Sequence, residues 1–183
     1  MSMPARDVVD GITLALDGEV PELDLAASEL ARRAIRFASM LEDTLTASLA
    51  PWGLTPADYG VLITLRSAGE PYELRPSELK SRLLMTSGGV SGVLNRLDKT
   101  GLIDRQPHPT DGRSSRVRLT STGLETVNAA VRAWTLAQCD VLRKVPDEVN
   151  RSAADALREV LLALGDSAPQ SAQAPGRHGI DTA

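Results

Sequence analysis

The 183-residue sequence predicts a mainly α fold of the α+β kind, in which long helices flank a single β-hairpin. Three observations point there. Aromatic residues are only 3% of the chain while Ala and Leu are abundant, a composition that suits helices better than a sheet sandwich. Apolar residues recur at intervals of three and four along most of the length. Strand-like alternation is confined to two short segments on either side of one Asp-Gly pair, Asp111-Gly112. The length suits one domain with helical extensions, and two large cores are not expected.

The elements follow in order. Residues 1–22 are read as an N-terminal arm or a short extra helix, for which Val8, Val9, Ile12 and Leu16 supply one face. Over residues 24–50, Leu30, Ala34, Phe37, Leu41 and Leu45 recur at helical spacing up to Pro51, which predicts a long helix. Thr55-Pro56 supplies an N-cap and a first-turn proline for a helix that contains Tyr59, Leu62 and Ile63 and stops at "SAGEPYEL". Pro76 opens a short helix with Leu79 and Leu83 one turn apart. Thr86 caps another, in which Val90, Val93, Leu94 and Leu97 make a narrow apolar stripe before Gly101 ends it.

"LIDRQP" and "SRVRLT" are the hairpin strands, joined through "HPTDGRS". Val117 and Leu119 alternate with Arg116 and Arg118, so the arginines are expected to point outward. Two helices over residues 121–164 follow. The first carries Leu124, Val127, Val131, Trp134, Gln138 and Val141; the second starts after Pro146 and offers Val149, Leu157, Val160, Leu161 and Leu164 for burial. Residues 165–183, rich in Ala, Pro, Gly, Ser and Gln, are expected to be a disordered tail.

The capped helix from Thr86 turns an unusual face away from its stripe: Gly88, Ser91, Gly92, Asn95 and Lys99, with Arg96 beside them. Long Glu and Lys side chains would favour the helix more, whereas small residues let a backbone approach a partner closely. Charge points the same way. Residues 75–118 carry nine basic and four acidic side chains, a net of +5, against −9 in the remainder. A solvated surface alone would also tolerate such a cluster. Joined to the small polar helix face and the outward arginines of the hairpin, it matches a double-stranded DNA partner: a helix in the major groove, a hairpin tip on the minor groove, and cations on phosphates.

Catalysis finds no support in the residue pattern. No Ser/His/Asp, Cys/His or paired-carboxylate spacing is recognisable, and His108 and His178 sit far apart in a turn and a tail, so neither metal nor cofactor is expected. Gly88-Gly89 lacks the strand and the Lys-Ser or Lys-Thr of a phosphate loop. The single cysteine, Cys139, excludes an intrachain disulfide framework and is read as a small apolar helix residue. Without a run of apolar residues long enough for a membrane span, and with an N-terminus unlike a secretory signal, a cytoplasmic protein is expected.

The order helix, short helix, polar-faced helix and arginine-bearing hairpin is that of a winged helix-turn-helix, here over residues 55–120. Over residues 24–164 the chain resembles the MarR family of bacterial transcription regulators, above all in "RPSELKSRLLMTSGGVSGVLNRLDKTGLIDRQPHPTDGRSSRVRLTSTG". Asp111 and Arg113 match the family's Asp-x-Arg wing signature, and Leu119–Gly123 its helix-opening "LTSTG". The resemblance implies a homodimer built from the helices at 24–50 and 121–164, a palindromic operator, and a repressor released by a small-molecule effector. The implied DNA contacts are Thr86, Ser87, Gly88, Ser91, Gly92, Asn95, Arg96 and Lys99 on the recognition helix, and Asp111, Arg113, Arg116 and Arg118 on the wing. A nucleoid-associated location follows from that partner.

Two phrases, "AGEPYELRPSEL" and "MTSGGVSGVLNRLDKTGLIDR", are most similar to the branch that responds to urate or small dicarboxylates and carries an extra N-terminal helix. That branch's ligand-binding aspartate falls on Gly60 and one of its arginines on Val93, its tryptophan has no counterpart, and an arginine is kept at Arg105. Urate itself is therefore not expected. Arg36, Trp52 and Arg105 are the ligand-binding candidates, Arg36 and Arg105 favouring a small anion.

Overall fold

A computed structural model describes residues 5–17, 19–20, 24–83, 85–107 and 115–166, with the backbone alone at 87, 107 and 115. Its helices are α1 (Val8–Leu16), α2 (Leu25–Leu49), α3 (Pro56–Ser67), α4 (Pro76–Leu83), α5 (Ser87–Lys99), α6 (Ser121–Leu142) and α7 (Asp147–Ala163). Among the described residues three strands, β1 (Glu73–Leu74), β2 (Ile103–Pro107) and β3 (Ser115–Leu119), form an antiparallel sheet in the order β1-β3-β2. The fold is thus mainly helical with one small sheet, as the apolar spacing predicts.

The core lies where α3, α4 and α5 meet the sheet and the start of α6. Leu62 is buried in it, but Val61 and Leu65 carry that face of α3 too, while Tyr59 and Ile63 are only half-buried. On α5 the stripe Val90, Val93, Leu94 and Leu97 is buried throughout. Each such side chain contributes about 1.5–3 kcal/mol relative to exposure. Among strand residues, Val117 is fully buried and Leu119 nearly so, while Arg118 between them is exposed.

Local chemistry fixes the joints. Thr86 accepts from the Gly89 amide at 3.1 Å to open α5. At its other end Gly101 takes φ +69, the Leu102 amide donates to the Leu97 carbonyl at 3.0 Å, and the Gly101 amide to that of Asp98 at 2.9 Å. These paired bonds make a Schellman stop that only a residue tolerant of left-handed backbone supplies cheaply. Thr120 then opens α6: its hydroxyl accepts from the Gly123 amide at 3.0 Å and donates to the Gly101 carbonyl at 2.7 Å, tying the exit of α5 to the entry of α6.

α1 pairs with the first half of α2, and α2 with α6. Arg33 on α2 reaches Asp7 at 2.8 Å and Asp10 at 2.7 Å, joining α2 to the start of α1. α7 is different: none of its residues is buried. Asn150 donates to the carbonyls of Leu142 and Val145 at 3.2 Å, which fixes the start of α7 against the end of α6. The rest leaves Val149, Leu161, Leu162 and Leu164 in solvent. Cys139 is likewise exposed on α6 in the single chain.

Candidate nucleic-acid interface

The outward face of α5 is built by the same spacing that buries its stripe. With Val90, Val93, Leu94 and Leu97 inward, Gly88, Ser91, Gly92, Asn95 and Lys99 are exposed in a row. A Cβ added at Gly88 or at Gly92 would meet nothing within 4 Å. Packing inside the chain therefore does not demand these glycines, and the smallness of the face is open to an outside partner. Thr86 sits at the head of the row as the N-cap, its hydroxyl committed to Gly89. Ser87 is the first residue of α5.

Arg96, one of the DNA-contact candidates, has a partner inside the chain. Its guanidinium turns back to α3, with Nη2 2.6 Å and Nε 2.9 Å from Oδ1 of Asp58, a residue 1% exposed. Asp58 also accepts from the Thr55 amide at 2.9 Å and hydroxyl at 2.7 Å, completing the capping box of α3. One carboxylate thus caps α3 and clasps α5. The Thr55-x-x-Asp58 spacing shows the box in the sequence, but nothing local shows a partner 38 residues away.

Asn95 is also held. Arg105 on β2 donates from Nη2 to the Asn95 Oδ1 at 2.8 Å, while Arg105 Nε is buried without a hydrogen-bond partner. Asn95 is exposed, and with its Oδ1 accepting from Arg105 its amide NH2 remains a donor. Arg116, on the strand face away from buried Val117, donates to Glu73 of β1 at 2.8 Å, with Glu73 largely buried. The two-residue strand β1, which carries no readable alternation, supplies that acid. Arg118, opposite Glu73 and Asp104 in the sheet, remains exposed. Asp111 and Arg113 lie outside the described residues, as does His108.

The three ligand candidates are not brought together within the chain. Arg36 lines a pocket of about 480 Å³ between α1 and α2 with Val8 and Ile12. Trp52 lines a smaller one, about 240 Å³, with Asp58, Arg96, Leu97 and Thr100. Arg105 borders neither and sits beside Asn95. Among the described residues no cluster of His, Cys, Asp and Glu could hold a metal, and no helix is long and apolar enough to cross a membrane.

A capped helix with a small polar face, carried on a helix-turn-helix beside an arginine-bearing hairpin, defines a winged-helix protein of the nucleic-acid-binding type. The MarR family model matches residues 52–114. The chain is 31% identical over 118 residues to the HTH-type transcriptional regulator Mb0904 of Mycobacterium bovis, covering 63% of this chain and 80% of that one. Sco5413, a MarR family transcriptional regulator from Streptomyces coelicolor, superposes with a TM-score of 0.66 at 30% identity, over 78% of this chain and 99% of its own. Sco3205, another from that organism and solved in complex with DNA, gives 0.66 at 28% identity, over 79% and 94%. The chain belongs to the MarR family of transcriptional regulators.

Proposed function

We propose that this chain is a sequence-specific DNA-binding regulator that acts as a homodimer on a palindromic operator, in the cytoplasm and on the nucleoid, with no catalytic step. The exposed row on α5 carries the reading, because open space beside Gly88 and Gly92 lets the helix backbone approach base edges closely. In this reading Thr86, Ser87, Ser91 and Asn95 lie nearest the bases, Lys99 and Arg118 neutralise phosphates, and the wing signature Asp111-x-Arg113 serves the minor groove. Arg96 and Arg116, held by Asp58 and Glu73, set the angle of α5 and the shape of the wing. Residues 24–50 and 121–164 form the dimer, for which the exposed leucines of α7 give support.

Regulation is proposed as repression released by a small anion. Arg105 is the arginine through which an anion would act, since it already touches Asn95 and keeps a buried N–H unpaired. Arg36 and Trp52 would join such a site only from separate pockets, in the dimer.

The test is fluorescence anisotropy of the purified protein on DNA from its own upstream region, at several salt concentrations and against scrambled competitor. Competitor-resistant binding that weakens steeply with salt is expected. Equal affinity for every duplex overturns sequence specificity, and no binding to any duplex overturns the DNA reading.

A further inference from the structure

A pocket of about 500 Å³ lies between α1 and the first turns of α2, on residues apart from the α5 face. Its size falls within the range of small-molecule sites. Four carboxylates line it, those of Asp7, Asp10, Asp17 and Glu29, against two guanidinium groups, Arg6 and Arg33. Arg33 is fully engaged: Nε donates to Asp7, Nη1 to Glu29 at 2.9 Å and Nη2 to Asp10. The wall therefore holds an excess of negative charge, and its carboxylates can only accept hydrogen bonds.

Thr13 adds a second, independent observation. It lines the same pocket, it is 5% exposed, and its hydroxyl is buried with no hydrogen-bond partner. A threonine inside a helix commonly satisfies its hydroxyl on the carbonyl four residues back. Thr44 does so on Met40 at 3.1 Å, Thr64 on Gly60 at 2.7 Å and Thr100 on Arg96 at 3.2 Å. Thr13 does not, and an unpaired buried hydroxyl costs about 1–3 kcal/mol unless something entering the pocket meets it.

We propose that this pocket binds a small organic cation bearing N–H donors, of the diamine or polyamine class. An ammonium group donates to the Thr13 hydroxyl and to the carboxylate wall at once, and its charge offsets the acidic excess. The site is separate from the anion response at Arg105, and binding ties α1 to α2.

Isothermal titration of the full chain with 1,4-diaminobutane, without DNA, tests it, alongside tetramethylammonium chloride, NaCl and MgCl2 at matched ionic strength. Saturable binding of the diamine is expected, with none of tetramethylammonium, which lacks N–H donors. Thr13→Val, which keeps the shape and removes the hydroxyl, is expected to weaken it about five- to tenfold. Asp17→Asn, an exposed substitution that spares the packing, is expected to weaken it by a similar factor and serves if Thr13→Val does not fold. Heats no larger than those of NaCl, an equal response to MgCl2, or unchanged affinity in a folded variant each overturn the proposal. Because DNA is absent, these outcomes leave the operator-binding test to stand or fall alone.

Discussion

Asp58 of α3 and Arg96 of α5 close on each other at 2.6 Å, one residue buried and the other with its side chain half in solvent. The pair converts a helix otherwise held by four apolar residues into one whose roll is also fixed by a polar clasp. Losing one partner of a fully buried pair costs about 3–5 kcal/mol. Here solvent on the Arg96 side reduces the pairwise share to about 1–2 kcal/mol. A double-mutant cycle of Asp58→Asn and Arg96→Ala, followed by urea unfolding, is expected to return a coupling of that size. Coupling indistinguishable from zero would mean that the clasp does not hold α5.

The same pair shows what was legible in the sequence. The α5 stripe, the Thr86 cap, the Gly101 stop and the β2–β3 hairpin were readable because each depends on neighbours within a few residues, and local periodicity or turn chemistry records them. The ion pairs of Arg96 and Arg116 are not legible there, because their partners, Asp58 and Glu73, are 38 and 43 residues away and only the fold brings them near. β1 was missed for a related reason. Two residues cannot alternate, and their strand character comes from pairing with Arg118 and Val117. The wing tip, with Asp111 and Arg113, rests on the sequence alone.

Gly123 tests the joint between the hairpin and α6. A Cβ there would collide with the carbonyl oxygen of Leu102, a backbone atom that also accepts from the Thr120 amide at 3.2 Å and so cannot move aside cheaply. Gly123→Ala is expected to destabilise by about 3 kcal/mol or more, the upper end of overpacking costs. Chemical denaturation measures this directly. A loss under about 0.5 kcal/mol, the range of an ordinary surface change, would show that the α6 entry yields readily.

Asn95 and Arg118 are expected to fail in different ways. If Asn95 reads base edges as proposed, Asn95→Ala should reduce discrimination between operator and scrambled DNA by about 1–3 kcal/mol with an unchanged salt slope. Arg118→Ala should weaken both duplexes alike and lower the salt slope by about one. Arg105→Met releases the Asn95 amide from its anchor and should move in the direction of Asn95→Ala. Anisotropy titrations on both duplexes separate these outcomes, and an Arg105→Met profile like that of Arg118→Ala would assign Arg105 to phosphate instead.

Acid should loosen α1. The hydrogen bond from Arg33, aided by the Asp10 and Val9 amides, holds the Asp7 carboxyl below its ordinary pKa. A group whose folded pKa is depressed stabilises the fold above its unfolded pKa, about 4, and loses that contribution as pH falls through the lower folded value. Stability of the wild type should therefore fall more steeply than that of Asp7→Asn as pH drops below about 4. Parallel acid limbs in the two proteins would show that the Asp7–Arg33 contact adds nothing to the docking of α1.

Dimerisation is the prediction on which operator binding depends most. α7 leaves Leu161 48% and Leu162 55% exposed and Leu164, just after it, 79%, while α2 leaves Ile35 at 71% and Met40 at 58%. These apolar side chains of α2 and α7 are left in water by the single chain, and a second copy covers them with the fewest assumptions. Leu161→Glu puts a charge into that surface and is expected to yield a monomer by light scattering, with circular dichroism unchanged. Operator affinity should fall by orders of magnitude, because two recognition helices on adjacent half-sites then become one. Glu159→Ala, polar and exposed on the same helix, should leave both mass and affinity intact. A Leu161→Glu protein that remained dimeric would place the interface off α7, and a monomeric wild type that still bound the operator tightly would separate recognition from dimerisation altogether.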